Sequence, residues 1–289
     1  MSELKAECLI AVAIIVRSMS YLFSSNLIHV LGPFNILSIR FSLAFIIMAV
    51  IFRKKVMAVS RQTLKHGGVL GLVLTLTMAC ELTGFRLTDA GITSFLEQVA
   101  IVLVPILHGL IIHKLPSREV LVCGLVCLTG IGFLTLNNGL AGLNWGCLFA
   151  LLAAFLYAIF IIFTGRFAQD DDPMTLGIVQ LIFVGIFGTV FSLFFETYTW
   201  PATGLQVGSL VMLAVACSCF GFTAQSVGQK YVEVGTVGLL CAISSLVVTI
   251  EGVLFLGESL KLNKIIGGAL ILVGICTLIY RQNKIQKTL

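Results

Sequence analysis

Polar residues along this chain do not alternate with apolar ones; they gather between long apolar blocks. From Val120 to Gly165 there is no Asp, Glu, Lys or Arg. A helix needs about 20 apolar residues to cross bilayer hydrocarbon. That stretch therefore holds two crossings, with a turn marked by Asn137-Asn138-Gly139 and Asn144. The same reading of the whole chain predicts ten spanning helices, near 8–24, 33–52, 67–85, 90–112, 119–136, 145–164, 174–195, 206–228, 233–256 and 264–281. The predicted fold is an all-α polytopic membrane protein. Ten crossings use about 200 residues, and the rest of a 289-residue chain is loops and tails.

Composition agrees. Apolar residues make up 58% and charged residues 11%, less than half of the roughly 25% usual in a soluble domain. The net charge of +5 points to cytoplasmic loops rather than to nucleic acid. The richest loop, Arg53, Lys54, Lys55, Arg61 and Lys65, follows the second span. Alternating from there places both termini in the cytoplasm, with thirteen of the 18 Lys and Arg on that side. Glu3, Glu7 and Arg17 make the N-terminus read as a first span and not as a cleavable leader. The nine cysteines fall in apolar segments and read as small core residues.

An internal repeat lies beneath the blocks. A shift of 144 residues lays Arg86 on Lys230, Asp89 on Glu233, Gly91 on Gly235, Gly124 on Gly268 and Gly130 on Gly274. A shift of 140 lays Pro33 on Pro173. Two five-span halves are expected, 1–140 and 141–289. An odd number of spans per half makes the second enter from the opposite side, an inverted repeat typical of secondary transporters. Gly130 with Gly132, and Gly268 with Gly274, allow close helix packing within a monomer or at a homodimer seam.

Charges inside spans are costly and mark functional candidates. Arg17, Arg40, Glu81, Glu97 and Glu251 all fall roughly 6–12 Å below the expected outer boundary, counted at 1.5 Å per residue. Two readings of this layer stand side by side. In one it binds substrate, an arginine taking a carboxylate and a glutamate an ammonium group. In the other, Arg–Glu pairs lock helices together, and Arg40 leans that way. Glu81, near Arg86, reads as close to the outer surface. Glu97 shares a helical face with Ser94, Ile101, Pro105 and His108 and is the candidate for proton coupling. Tyr21 lies one turn from Arg17. Tyr157 occupies the repeat-matched place of Arg17, and Gln180 that of Arg40. Gln98 and Gln225 add polar groups within spans. The expected substrate-binding set is Arg17, Tyr21, Arg40, Glu97, Gln98, Tyr157, Gln180 and Glu251.

The ordered set of Arg40 in the second span, Pro105 in the fourth, Asp172-Pro173 opening the seventh, Gly257-Glu258 closing the ninth, and Gly267-Gly268 with Gly274 in the tenth resembles the drug/metabolite transporter superfamily, in its EamA-like branch. Where that family often carries Trp-Gly in the first span, this chain has Arg17-Ser18. The resemblance implies a carrier of a small metabolite. No span contains Asp, and no HExxH, metal-spaced CxxC or phosphate loop occurs, so neither an enzyme nor a cofactor or metal is expected. Energy would come from a gradient or from the substrate itself. The expectation is a secondary transporter in a prokaryotic cytoplasmic membrane, moving an amino acid or related zwitterion by alternating access. The alternatives are an organic-cation carrier and a membrane scaffold. The expected partners are the bilayer and a small-molecule substrate.

Overall fold

A computed structural model describes residues 1–25, 27–88, 90–114, 116–135, 144–255 and 262–286. The expected boundary between the halves, at 140/141, lies outside the described residues. Among those described, every regular element is a helix. In a hydrocarbon surround a helix answers the need of each backbone N–H and C=O to find its partner within the chain. In order the helices are α1 (Glu3–Ser18), α2 (Ser20–Ser25), α3 (Pro33–Ile51), α4 (Arg53–Met57), α5 (Arg61–Leu87), α6 (Ala90–Glu97), α7 (Ala100–Ile111), α8 (Arg118–Thr135), α9 (Trp145–Asp170) and α10 (Pro173–Phe195). Then come α11 (Gly204–Met212), a π-helical segment (Leu213–Phe222), α12 (Thr223–Gln229), α13 (Val234–Leu240), α14 (Ile243–Phe255) and α15 (Leu262–Gln286).

Among the described residues, eight stretches are long and apolar enough to cross a membrane: Glu3–Ser24, Pro33–Ile51, Arg61–Leu87, Ile92–Ile111, Trp145–Asp170, Pro173–Phe195, Gly204–Gln229 and Val234–Phe255. The protein is thus a multi-pass membrane protein. α8 and α15 pack against each other as a further pair. Helix ends depart from the expected bounds where polar caps carry a helix beyond its apolar block. Ser60 accepts from the Thr63 amide, so α5 starts at Arg61 and not near 67. α9 runs on to Asp170, past the last apolar turn near 164.

The packing repeats when the two halves are exchanged. α5 lies on α9 as α12 and the π segment lie on α1; α10 lies on α5 as the π segment lies on α3. The α8–α15 contact displays the relation atom by atom. A Cβ on Gly130 would sit 2.6 Å from the Gly267 carbonyl oxygen, and one on Gly274 would sit 3.1 Å from the Cys123 carbonyl oxygen. These contacts exchange under the 144-residue shift, and Cys127 donates to the carbonyl of Ile271, its own repeat mate. α8 and α15 therefore cross antiparallel about a local two-fold axis.

α3 and α10 form the second such pair, with Gly185 and Gly188 against Ser42 and Ser38. At one end, Glu196 reaches from the end of α10 to the first amides of α3, accepting from Phe34 N at 3.1 Å and Asn35 N at 2.9 Å. Gly32 leaves the space its carboxylate fills. At the other end Asp172 caps α10, accepting from Thr175 N at 3.0 Å, and Lys55 donates to it at 2.8 Å. The exposed Trp145 and Trp200 lie at the Glu196 end, as interfacial tryptophans do. The basic residues of the 53–65 loop lie at the Asp172 end, where His66 bonds Asp171 at 2.6 Å and stacks on Phe167.

Two predictions follow from these contacts. Gly130→Ala should lower stability in detergent by about 1–3 kcal/mol, since overpacking here meets backbone. Gly124→Ala, whose Cβ would meet side chains no nearer than 3.6 Å, should leave it unchanged or raised. Partial burial pushes the Asp172 carboxyl up, but the Lys55 and Thr175 hydrogen bonds outweigh it and hold the group below the usual carboxylate range. Its contribution is therefore complete above the ordinary Asp pKa and is lost as pH falls through the lowered value. Asp172→Ala should cost about 1 kcal/mol at neutral pH from the lost cap, a difference that shrinks in acid; equal losses at both pH values in thermal melts would contradict this.

Candidate functional site

α1 ends one residue beyond Arg17, and a second short helix, α2, restarts at Ser20. The Arg17 side chain leaves this end of α1 and crosses to the opposite half. Its stem fills the space a side chain on Gly221 would need: a Cβ there would lie 2.4 Å from Arg17 Cγ. Its Nη1 donates to Gln225 Oε1, and its Cζ lies 4.4 Å from the Phe222 ring centroid and 5.3 Å from that of Tyr157. A guanidinium over aromatic faces keeps favourable electrostatics with little water. The Tyr157 hydroxyl contacts Cys241 Sγ at 3.7 Å.

Gly221 and Phe222 end the π-helical segment and Gln225 follows in α12. The wider π turn admits an extra residue per turn and recurs at functional sites. The segment also carries Ser218, which accepts from Arg40 Nε at 2.6 Å. Arg40 is buried and its Cζ lies 5.1 Å from the Phe41 ring; Phe41 lies 5.6 Å from Phe222. Two rings thus stand between the two guanidinium groups.

Two of the acidic members, Glu81 and Glu97, stand within electrostatic reach of Arg17. Glu81 is held in the field of Arg17 and Arg40, so it belongs to this cluster and not to the surface beside Arg86. Glu97 feels repulsion from Glu81 and attraction to Arg17. Among the described residues neither carboxylate makes an ion pair within 4 Å or a hydrogen bond. Both are only partly buried.

Glu97 is also the last residue of α6, and the chain leaves the helix at Gln98 and Val99 before α7 begins. Its expected face with Ile101, Pro105 and His108 is therefore interrupted. The matching break separates α13 from α14 at Cys241 and Ala242, 143 residues on, within one residue of the repeat shift. Gln98 Nε2 donates to Ser244 Oγ at 2.8 Å, and Ser244 Oγ donates to the Cys241 carbonyl. Side chains thus join one interruption to the other. Neither break has a Pro or Gly to announce it.

Three repeat-matched pairs meet here. Arg17 matches Tyr157, Glu81 matches Gln225 and Glu97 matches Cys241. In each pair one half supplies a charge and the other a neutral group. The structure thus gathers Arg17, Arg40, Glu97, Gln98 and Tyr157 of the expected set, and adds Glu81, Gln225, Ser218 and Phe222. It does not bring Glu251 or Gln180 to the arginines. Glu251 is buried, with Oε2 unpartnered. Gln180 is fully buried beside Gly67 and Gly71 and bonds Ser226 at 3.3 Å. Tyr21 lies in α2, with its side chain outside the described residues. The extra members had a signal in the sequence, since the 144 shift that pairs Arg86 with Lys230 also pairs Glu81 with Gln225.

Gly221→Ala should lower the melting temperature by displacing Arg17. In an Arg17→Ala background the same change should cost much less, a coupling that a double-mutant cycle reads directly. Equal costs in both backgrounds would show that Gly221 serves helix packing alone.

The model of the EamA-like transporter family matches residues 4–136 and again 144–280. A relative from Archaeoglobus fulgidus, described as an uncharacterized transporter, is 26% identical over 200 residues, covering 69% of this chain and 71% of the relative. A protein known from a crystal structure superposes with a TM-score of 0.78 at 18% identity, over 96% of this chain and 98% of the other, a likeness of fold. With both halves matched, the chain belongs to the EamA-like transporter family.

Proposed function

We propose that this protein is a secondary transporter that carries a small metabolite across the cytoplasmic membrane by alternating access. Ten spans arranged as two inverted halves, 1–140 and 141–289, would rock about the axis on which the repeat-matched pairs meet. The observation that carries this reading is the convergence of Arg17, Glu81 and Glu97 with their mates Tyr157, Gln225 and Cys241 beside two linked helix breaks. Discontinuous helices at a repeat interface are where carriers place their substrate. The basic 53–65 loop at one end and the exposed tryptophans at the other support cytoplasmic termini.

The substrate class is an amino acid or related zwitterion, because the site presents both signs of charge within one layer. Glu97 carries the coupling proton. It ends a helix at the break, has no fixed partner, and sits where reorientation of either half changes its surroundings. A second reading, an organic cation such as a quaternary ammonium compound, is favoured by one observation: Glu81 and Glu97 lack direct ion partners, whereas both arginines have polar ones.

Reconstituted vesicles test the proton role. Glu97→Gln should abolish accumulation driven by a proton gradient while leaving substrate exchange intact. Accumulation equal to the unaltered protein would remove Glu97 from coupling.

A further inference from the structure

The turn that parts α6 from α7 and the turn that parts α13 from α14 match bond for bond. In the first, the amides of Val99, Ile101 and Val102 reach back three residues, to the carbonyls of Leu96, Gln98 and Val99, at 3.1, 3.0 and 3.0 Å. In the second, Ala242, Ser244 and Ser245 reach back to Leu239, Cys241 and Ala242, at 3.0, 3.0 and 3.2 Å. A shift of 143 residues lays each bond on its counterpart. Bonds of this reach make a 3₁₀ turn, which holds less well than an α-helix and in mid-span often marks a hinge. The sequences differ, Gln98-Val99 against Cys241-Ala242, so the shared geometry is set by position in the fold.

The two turns are also tied together. Gln98 Nε2 donates to Ser244 Oγ at 2.8 Å, and that hydroxyl donates to the Cys241 carbonyl at 2.8 Å. This bridge crosses from one half to the other and has no two-fold mate, because the same shift turns Gln98 and Ser244 into Cys241 and Ile101. Beside it, a Cβ on Gly238 of α13 would lie 2.9 Å from Val104 Cβ of α7, so these two segments pack directly. Their repeat mates, α6 and α14, do not pack against each other in this way among the described residues. The symmetry kept by the turns is therefore broken in the segments they carry: one pair is closed and its mate stands apart. Both ends of the bridge adjoin the charged cluster. Glu97 precedes Gln98, and Cys241 Sγ lies 3.7 Å from the hydroxyl of Tyr157, whose ring faces Arg17.

From this we infer that the two turns are paired hinges and that Gln98 and Ser244 are the positioning residues that make them bend in step, so that α7 leaves α13 as α6 closes on α14. The inference rests on the carrier reading above and names its moving parts. Hinges are a few residues at element ends that absorb the backbone change, and these sit at the ends of four helices. Without the bridge either turn opens alone; with it, opening one side of the site is linked to closing the other. Gln98 then serves motion and not substrate contact.

Amide exchange of the full-length protein in detergent, read by mass spectrometry, tests the linkage without a substrate. Ser244→Ala removes the bridge, Gln98→Met removes its donor at nearly unchanged length, and Ser244→Thr keeps the hydroxyl. Ser244→Ala and Gln98→Met should each speed exchange about five-fold or more at both 99–102 and 242–245, as loss of one hydrogen bond implies. The double variant should be no faster than Ser244→Ala, since both changes remove the same bond. Ser244→Thr should match the unaltered protein. Rates are taken relative to the α8–α15 pair, so general loosening does not count as linkage. Acceleration confined to the substituted turn, or Ser244→Thr behaving as Ser244→Ala, would overturn the inference.

Vesicles test the positioning role, with labelled amino acids and choline as probes. For a probe that the unaltered protein exchanges, Ser244→Ala should slow exchange about ten-fold while its binding in detergent stays within about two-fold. Ser244→Thr should restore the rate. A loss of binding that matches the loss of exchange would place the bridge in ligand contact and overturn the positioning role. Exchange of none of the probes by the unaltered protein defeats the carrier reading, whereas the amide rates still decide whether the turns are linked.

Discussion

Lipid offers no hydrogen bonds, so a chain crossing it can leave the helix only where other parts of the same chain satisfy the freed backbone groups. This constraint explains why the interruptions of the bundle coincide with its polar centre. The breaks after Glu97 and after Leu240 are linked by the Gln98–Ser244 hydrogen bond, and the Ser244 hydroxyl donates to the Cys241 carbonyl. The same rule governs the π segment, whose residues bond inward to α1 and α3: Cys217 to the Val16 carbonyl, Ser218 to Arg40 and Cys219 to the Ala44 carbonyl. Irregular backbone and charged side chains share a location because each lowers the cost of the other.

The charges obey a matching economy. Arg17 sheds water but gains Gln225, Tyr157 and Phe222. Arg40 gains Ser218 and the Phe41 face. Phe41 and Phe222 hold the like charges apart. Against these cations stand Glu81 and Glu97, within electrostatic reach but outside direct contact. A tight Arg–Glu pair would be self-sufficient and would hold its helices together. Charges balanced across a gap are instead responsive to what enters it.

The spacing of apolar blocks disclosed most of the fold, because membrane burial acts on composition over whole turns and leaves a long-range trace. Helix ends were less visible: Ser60 extends α5 through a single capping bond, which hydropathy does not register. The breaks at Gln98-Val99 and Cys241-Ala242 left no local mark because contacts between helices decide them. Counting depth placed Arg17, Arg40, Glu81 and Glu97 in one layer with Glu251, but depth along a helix says nothing of direction around it. That missing angle separates Glu251 from the arginines. Gln225 showed the converse: an ordinary polar residue in a span until Arg17, 208 positions away, is laid against it.

The ends of the α3–α10 pair carry a last consequence. Position 32 is glycine and its repeat mate 172 is aspartate; position 56 is valine and its mate 196 is glutamate. One helix start receives its carboxylate from its own half, the other from across the axis. Two copies of the first half would leave the α3 amides facing only a basic loop, while two copies of the second would set Asp172 against Glu196. The halves have become a lock and its key, and neither, doubled, could stand in for the whole.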